Sequence, residues 1–117
     1  MADMMFPKEG RKKPRKKHMD SIIQAKDGGC YLCEKLHGDF RKKWVEEHHI
    51  YFGHGQRAVS EANGFKVYLC IEHHRTGKEA VHRCHETCLI LQQDAQRTFE
   101  KTHTREEFME LTGRNYL

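Results

Sequence analysis

Two short motifs of metal-binding residues constrain most strongly how this chain can fold. Cys30 and Cys33 are separated by two residues, and Cys70 and His73 repeat that spacing. Two intervening residues let both side chains reach one ion across a tight turn, and structural zinc takes four such sulfur and nitrogen ligands tetrahedrally. The gap between the motifs is longer than in a simple zinc finger and has room for a pair of strands. We therefore expect one structural zinc ion to hold the two motifs together.

The other cysteines favour a different interpretation. Buried free cysteines behave as small apolar residues, and this would be the better interpretation of a single Cys-x2-Cys motif. Cys84 and Cys88 are spaced i, i+4 on a predicted helix, which favours core packing, although Cys84 could replace a misassigned ligand. Clustered cysteines and histidines without a secretory signal indicate metal binding rather than disulfides. A chain of 117 residues has a modest core and gains from a metal staple.

The excess of positive charge lies at the N-terminus. Residues 1–20 hold seven of the 21 Lys and Arg residues and three of the 17 Asp and Glu residues, which accounts for the whole net charge of +4. Both prolines lie here, and like charges at this density resist compaction. We expect a flexible basic arm at 1–20 and one zinc-stapled domain at 21–117. The arm suits contact with a phosphate backbone, and a solubilising tail is the alternative.

Composition argues against a membrane protein. Charged residues make up 32% of the chain, and no apolar run reaches the length of a membrane span. The N-terminus is basic but has no apolar segment of the kind that a secretory signal requires. We expect a cytoplasmic protein with no membrane partner.

The middle of the chain predicts a pair of strands. Aromatic and β-branched residues at 44–52 and 65–69 are typical of strands, and the polar stretch 56–64 between them predicts a long loop. The two strands would pair antiparallel. Their aromatic residues could be platforms for base stacking, but core packing is the preferred interpretation.

The C-terminal part predicts helices. A helical period from 85 to 102 puts four residues on one face, Cys88, Leu91, Ala95 and Phe99. Thr104 and Glu107 fit a capping box that opens a last short helix, and Gly113 is placed to end it. The predicted fold is α+β, with a core drawn largely from Trp44, Phe52, Phe65, Tyr68, Leu69, Leu91 and Phe99.

Histidines accompany the two metal-binding motifs. His48 and His49 are adjacent in the first predicted strand, and His74 directly follows His73. Adjacent residues on a strand point to opposite faces, so both imidazoles of the pair can face one site only at a strand end or a bulge. Imidazole binds metals and exchanges protons near neutral pH, which is what metal-assisted hydrolysis requires. The alternative is that these histidines are surface groups around a zinc finger.

The segments EEHHI and NGFKVYLCIEHH, within residues 46–74, resemble the HNH family of His-Me finger nucleases. The similarity is to small phage-type members with a treble-clef zinc site, near the recombination-associated phage nucleases. It covers residues 30–82, about half of the chain. It implies a ββα-metal (His-Me finger) hairpin-helix unit, with structural zinc and C-terminal helices, that holds one catalytic divalent ion.

The resemblance also implies roles for individual residues. His49 corresponds to the general base, His48 stands where the family has a metal-binding aspartate, and His74 corresponds to the metal-binding histidine that begins the helix. Asn63 is the candidate for the middle asparagine, whose amide orients the catalytic loop. The implied reaction is hydrolysis of DNA phosphodiester bonds, which leaves 5′-phosphate and 3′-hydroxyl ends.

The implied catalytic metal is Mg²⁺, Mn²⁺, Ni²⁺ or Zn²⁺. His82 is a candidate for a further metal ligand if the chain folds back at Thr76-Gly77, and His54 and His85 are weaker candidates. A histidine in place of an aspartate makes the site less hard, which favours Mn²⁺, Ni²⁺ or Zn²⁺ relative to Mg²⁺. The implied partner is DNA, with targeting by a phage or recombination protein.

Two other functions remain open. A non-catalytic treble-clef zinc module would bind nucleic acid or a protein partner, and it needs only one metal centre. A protein adaptor would dock a partner through its C-terminal helices and would expose an apolar stripe on residues 85–112. A second metal-binding centre beside His49 discriminates an enzyme from both.

Overall fold

The structure, a computed structural model, describes residues 18–117, so most of the predicted arm lies outside the described residues. These residues form a small α+β unit with a two-stranded antiparallel sheet and several helices. No helix within 18–117 combines the length and the apolar character needed to cross a membrane. In chain order, the elements are α1 (Tyr31–His37), β1 (Glu46–His49), α2 (Gln56–Asn63), β2 (Lys66–Leu69), a short π-helical turn called the π turn (Glu72–Thr76), α3 (His85–Phe99) and α4 (Arg105–Thr112).

The first described residues are attached to α2 and β2. The backbone N–H of Met19 donates to the carbonyl of Glu61 at 2.9 Å, and that of Ile22 donates to the carbonyl of Gly64 at 3.0 Å. Gly64 has a φ of 74°, and a Cβ at this position would meet the Asp20 carbonyl, so both the conformation and the close approach require glycine. The last residues assigned to the arm are therefore fixed to the domain.

The predicted strand pair is present, although the first strand is shorter than its sequence pattern indicates. β1 pairs antiparallel with β2, with Glu46 opposite Leu69 and His49 opposite Lys66. Gly53 has a φ of 101° and turns the chain shortly after β1. The histidine pair therefore lies at the end of the strand, beside the turn.

The prediction of a long loop between the strands is wrong, because residues 56–63 form helix α2. This stretch is rich in good helix formers, and Ala58, Val59 and Ala62 share one face at helical spacing, but eight residues are too few for that pattern to stand out. The buried Ser60 hydroxyl accepts a hydrogen bond from the N–H of Tyr51 and donates one to the carbonyl of Tyr51, at 3.0 and 2.7 Å. These bonds fix α2 against the chain that leaves β1.

Helix α1 presents the first metal-binding motif. Cys30 is its N-cap, and the Cys30 sulfur accepts a hydrogen bond from the backbone N–H of Cys33 at 3.4 Å. Gly38, with a φ of 63°, ends the helix in the left-handed conformation. An isolated backbone pairing of Gly29 with Lys42 then brings the returning chain beside the motif.

The two C-terminal helices are confirmed, with a small change of boundary. α3 ends at Phe99, three residues before the predicted end, and its predicted apolar face is buried. Thr104 and Glu107 form the reciprocal capping box at the start of α4, and Gly113 ends that helix with a φ of 82°. The apolar stripe that an adaptor would expose is therefore turned into the core along α3.

The core is only partly the predicted one. Phe65, Tyr68, Leu69, Leu91 and Phe99 are buried as predicted, whereas Trp44 and Phe52 are 75% and 48% exposed. The prediction for these two aromatic residues is wrong, because they flank the four paired residues of β1. The largest fully buried side chains include two aromatic residues that are not among the predicted core residues, Tyr51 and Phe108.

Replacing Phe108 with alanine is expected to destabilise the domain by about 3–5 kcal/mol, because a fully buried ring leaves a cavity. Its ring packs against those of Tyr51, Phe65 and Phe99, with centroids 5.6, 5.9 and 5.9 Å away. Urea unfolding at a fixed zinc concentration measures the change. The matched control is Met109→Ala on the exposed side of α4, for which we expect a change of about 0.5 kcal/mol or less. Equal midpoints for the two variants would contradict the prediction.

Candidate functional site

The two metal-binding motifs meet in a buried group of four side chains, called the Cys3His cluster. α1 supplies Cys30 and Cys33, the end of β2 leads to Cys70, and the π turn supplies His73. All four residues are buried, and their ligand atoms lie within 4.8 Å of one another. The predicted set of structural metal ligands is therefore brought together.

The spacing of these atoms fits a tetrahedral zinc ion. Bonds of about 2.3 Å to sulfur and about 2.0 Å to nitrogen place sulfur atoms about 3.8 Å apart, and sulfur and nitrogen about 3.5 Å apart. The Cys33 and Cys70 sulfurs are 3.8 Å apart. Nδ1 of His73 lies 3.4, 3.4 and 3.7 Å from the sulfurs of Cys33, Cys70 and Cys30. The Cys3His cluster could thus hold zinc, with His73 binding through Nδ1.

Charged groups around the cluster suit this role. Burial raises the pKa of the Cys33 thiol to about 12, and the Lys43 ammonium opposes the shift by donating a hydrogen bond to its sulfur at 3.2 Å. A bound cation would favour the thiolate further. On the far side of the imidazole, Nε2 of His73 lies 3.6 Å from Glu79, which also pairs with His37 at 3.1 Å. A carboxylate behind a ligating histidine orients the ring and raises its basicity.

Cys84 and Cys88 lie outside the Cys3His cluster. Cys88 is buried on the core face of α3, which confirms the packing interpretation for this residue. Cys84 is half-buried and is the N-cap of α3.

A second group consists of three histidines from three segments, called the three-histidine cluster. His48 comes from β1, His74 from the π turn and His82 from the connection to α3. The His48 ring centroid lies 5.2 Å from that of His74 and 5.3 Å from that of His82, and the last two are 4.8 Å apart. One nitrogen of each ring lies within 4.8 Å of the others, so the group could hold a metal ion. The chain folds back at Thr76-Gly77, which is what His82 requires in order to join His48 and His74.

His48 has the environment of a metal ligand. The residue is 3% exposed, and its Nε2 has no hydrogen-bond partner among the described residues. A buried nitrogen left in this way costs about 1–3 kcal/mol, which a bound cation would offset. Burial, followed by the charges of His74 and His82, lowers the pKa of His48 to about 3. Its imidazole is therefore neutral at pH 7, which is the form that binds metals.

Glu46 orients the second histidine of the cluster. Its carboxylate pairs with Nδ1 of His74 at 2.8 Å and with the guanidinium of Arg75 at 2.6 Å. These contacts lower the pKa of Glu46, with His74 as the largest cause. The hydrogen bond at Nδ1 leaves Nε2 of His74 as the nitrogen available to a metal.

His49 lines the same cavity as the three-histidine cluster. This cavity has a volume of about 220 Å³, and its wall consists of Glu47, His48, His49, Phe52, Arg57, His74 and His82. Both histidines occupy paired positions at the end of β1, where His48 is buried and His49 is half-buried, and the cavity extends to both side chains. Both histidines of the pair therefore reach one site.

The partner of His49 is Glu61, which the sequence analysis did not identify. Nε2 of His49 lies 2.6 Å from a carboxylate oxygen of Glu61. A neutral imidazole that donates Nε2–H to a carboxylate keeps its lone pair on Nδ1, which can accept a proton. Hydrogen bonds from His49, and then from His18 and Lys66, lower the pKa of Glu61 to about 2. No spacing rule indicates this contact, because it depends on α2.

Glu47, His49 and Glu61 also lie close enough together to hold a metal ion. However, the ammonium group of Lys66 lies 2.8 Å from Glu47 and 3.1 Å from Glu61. Lys66 is buried and already pairs with both carboxylates, so the three-histidine cluster is the better candidate for a second metal.

Asn63, the candidate for the middle asparagine, lies away from the three-histidine cluster. Its amide nitrogen donates to the carbonyl of Val59 at 2.9 Å, and its side chain lines a different cavity together with Ile22 and Phe99. The residue does not line the cavity of the three-histidine cluster. His54 is exposed in the turn before α2, and His85 is exposed at the start of α3.

Comparisons with protein-family models, with curated proteins and with solved structures find no match to this chain. The functional conclusion therefore depends on the geometry of the two clusters and of His49.

Proposed function

We propose that this chain is a metal-dependent HNH endonuclease that hydrolyses DNA phosphodiester bonds. The observation that carries the proposal is the buried Nε2 of His48, which has no hydrogen-bond partner among residues 18–117 and lies in a cluster with His74 and His82. His49 lines the same cavity. The order of elements also fits a ββα-metal unit, because β1 carries the histidine pair and the π turn after β2 carries His74.

The residues of the cavity match the needs of phosphodiester hydrolysis. A divalent ion, when bound, would neutralise the charge that develops on the phosphate and on the leaving oxygen. His48, His74 and His82 would hold that ion while leaving a position open to the substrate. Arg57 lines the cavity and is exposed, so its guanidinium is available to a phosphate oxygen.

His49 would act as the general base. Its Nε2 is engaged by Glu61, so Nδ1 is the atom that would take a proton from the attacking water. Glu61 would hold the ring in this tautomer and would stabilise the imidazolium that forms. Lys66 and His18 in turn hold the carboxylate of Glu61.

DNA is the proposed partner. The basic residues of 1–20 complement a phosphate backbone, and the balanced charge of 21–117 provides little of such attraction. Contact through phosphates positions a protein without reading sequence, so targeting would come from a partner such as a phage or recombination protein.

The decisive experiment is a nicking assay on supercoiled plasmid with Mn²⁺ or Mg²⁺. Wild-type protein is expected to nick, and His49→Ala is expected to lose activity by about 10²–10⁴-fold, as for removal of a general base. His54→Ala, a change at an exposed histidine outside the cavity, is the matched control and should cut normally. Zinc content and circular dichroism establish that each variant is folded.

Two outcomes would contradict the proposal. One is equal cutting by wild type and His49→Ala. The other is the absence of cutting by wild type on plasmid and on single-stranded DNA with every metal tried, which would favour a non-catalytic zinc module.

The identity of the ligands predicts the metal preference. Three imidazoles form a less hard site than one that contains a carboxylate, so activity should be higher with Mn²⁺, Ni²⁺ or Zn²⁺ than with Mg²⁺. Initial nicking rates at equal concentrations of the four metals measure this order. A strong preference for Mg²⁺ would count against three imidazoles as the ligand set.

Glu61→Gln is expected to slow nicking by about 10- to 100-fold, the usual effect of losing a partner that orients a functional histidine. The amide can present its NH₂ group to Nε2 of His49 and so favour the wrong tautomer. Nitrogen NMR of the His49 ring reports the tautomer directly. The control variant is Glu110→Gln, which makes the same chemical change at an exposed position of α4. An unchanged rate with an unchanged His49 spectrum would remove Glu61 from the mechanism.

A further inference from the structure

Two large aromatic residues are exposed at the two ends of the strand that carries the histidine pair. Trp44 stands two residues before β1, and Phe52 stands three residues after it. Most large aromatic residues in a domain of this size are used in the core, as Phe65 and Phe108 are here. Phe40 is exposed as well, and single exposed apolar residues need no explanation, so the case for a ligand depends on what surrounds Trp44 and Phe52.

Phe52 lies at the rim of the three-histidine cluster. Its ring centroid is 6.0 Å from that of His48 and 6.0 Å from that of His82, and it lines the cavity that they share. A flat apolar face thus stands next to the position where a phosphodiester would be cut.

Trp44 lies within reach of the same cavity along the chain. His48 is four positions further along the chain, so the Cα atoms of the two residues are at most about 14 Å apart. That span corresponds to about four nucleotides of a stacked strand at roughly 3.4 Å each. Glu46, between the two, already contacts the cluster through His74. This separation is short enough for one stretch of nucleic acid to span the distance from Trp44 to the cavity.

Basic side chains accompany the aromatic rings. Arg41 and Lys42 precede Trp44 and are highly exposed, and Arg57 lies at the cavity beside Phe52. Arg41 pairs with Asp39, but an ion pair this exposed contributes little and can be exchanged for a phosphate. Two carboxylates, Glu46 and Glu47, lie between the rings, and they are paired with His74 and Arg75 and with Lys66. Aromatic faces flanked by cations suit a single strand, with stacking for its bases and charge for its backbone.

We propose that Trp44 and Phe52 are stacking platforms for the bases of an unpaired DNA strand that runs along β1 past the three-histidine cluster. The inference rests on the proposed function for its choice of DNA as ligand. An unpaired strand is favoured over a duplex because paired bases are stacked on one another, and their faces are open to a side chain only after they are unstacked.

The chain offers a direct probe, because Trp44 is its only tryptophan. Intrinsic tryptophan fluorescence therefore reports this position alone. The titration uses full-length, zinc-loaded His49→Ala protein without added divalent metal, so that no strand is cut. Oligothymidylate is expected to quench the fluorescence strongly, and a duplex of the same length is expected to quench it weakly.

Variants then test the contribution of each ring. Trp44→Ala and Phe52→Ala in the same background should each bind labelled oligothymidylate about 5- to 100-fold more weakly, as removal of one stacking contact does. Trp44→Phe should restore most of the lost affinity, because it keeps an aromatic face. Met109→Ala, which removes an exposed apolar side chain on α4, is the matched control. All of these changes lie at exposed positions, so zinc content and unfolding midpoint should not change.

The outcomes separate this inference from the nuclease proposal. Unquenched fluorescence at saturating strand, no binding of the strand, equal quenching by duplex, or unchanged affinity of both alanine variants would each overturn the stacking surface. A protein that nicks plasmid while the alanine variants bind normally loses only the stacking surface. A protein that quenches as expected but never cuts loses only the nuclease proposal.

Discussion

Replacing Cys33 with serine is expected to abolish zinc binding at the Cys3His cluster and, with it, most of the folded state. Cys33 is buried, and its sulfur is 3.8 Å from that of Cys70 and 3.4 Å from Nδ1 of His73. Structural zinc contributes about 10–16 kcal/mol of apparent binding free energy in zinc-finger peptides. The free energy of unfolding of a domain is only about 5–15 kcal/mol. Losing the free energy of zinc binding would therefore leave the small core with little or no net stability.

Native mass spectrometry and far-ultraviolet circular dichroism measure the two parts of this prediction. The variant should carry no zinc at the Cys3His cluster and should show little helix at 25 °C. Cys84→Ser is the matched control, because Cys84 lies outside the cluster at the N-cap of α3, where serine is favourable. A strong chelator should unfold wild-type protein in the same way. A Cys33→Ser protein with the wild-type unfolding midpoint would show that the cluster is not a structural metal site.

The Cys3His cluster was predictable from the sequence because its information is local. The spacing of Cys30 and Cys33, repeated by Cys70 and His73, restricts each pair to a tight turn and selects a metal by its ligand chemistry. The helical face of α3 was predictable for the same reason, since the period of its apolar residues is a property of one segment.

Burial of the aromatic residues was not predictable in this way. Trp44 and Phe52 have the hydrophobicity of core residues, but burial also requires a neighbouring element that covers the side chain. Within residues 18–117 the sheet has two strands, and both aromatic residues lie beyond the four positions that pair. Tyr51 is next to Phe52 in the chain and is buried, which shows that one step along the chain decides the outcome.

The partner of His49 was missed because it depends on α2. A loop over 56–64 would give Glu61 no defined position, whereas α2 holds its carboxylate 2.6 Å from Nε2 of His49. Asn63, two residues further on, points its amide back to the carbonyl of Val59. The motif spacing indicated which segments meet, whereas the contact between His49 and Glu61 depends on a helix that the motifs do not predict.

His82→Ala is expected to abolish the second metal site while leaving the first intact. His82 is exposed, so its removal leaves no cavity in the core, yet its ring lies 5.3 Å from that of His48 and 4.8 Å from that of His74. Losing a partner that merely supports a ligand costs about 10- to 100-fold in metal affinity, so losing a ligand should cost more than about 100-fold. Nicking at limiting metal should fall by a similar factor.

Cobalt substitution can follow the two centres separately, because ligation by thiolates at the Cys3His cluster gives an intense charge-transfer band that ligation by three imidazoles lacks. Wild-type protein should bind two equivalents of Co²⁺, and His82→Ala should bind one, with the thiolate band unchanged. His85→Ala, at an exposed histidine outside both clusters, should bind two. If His82→Ala kept both equivalents at unchanged affinity, the three histidines would not be a metal site, and the unpartnered Nε2 of His48 would need another explanation. If His82→Ala bound one equivalent and no longer nicked DNA, the same three imidazoles would be required both for the second metal and for DNA cleavage.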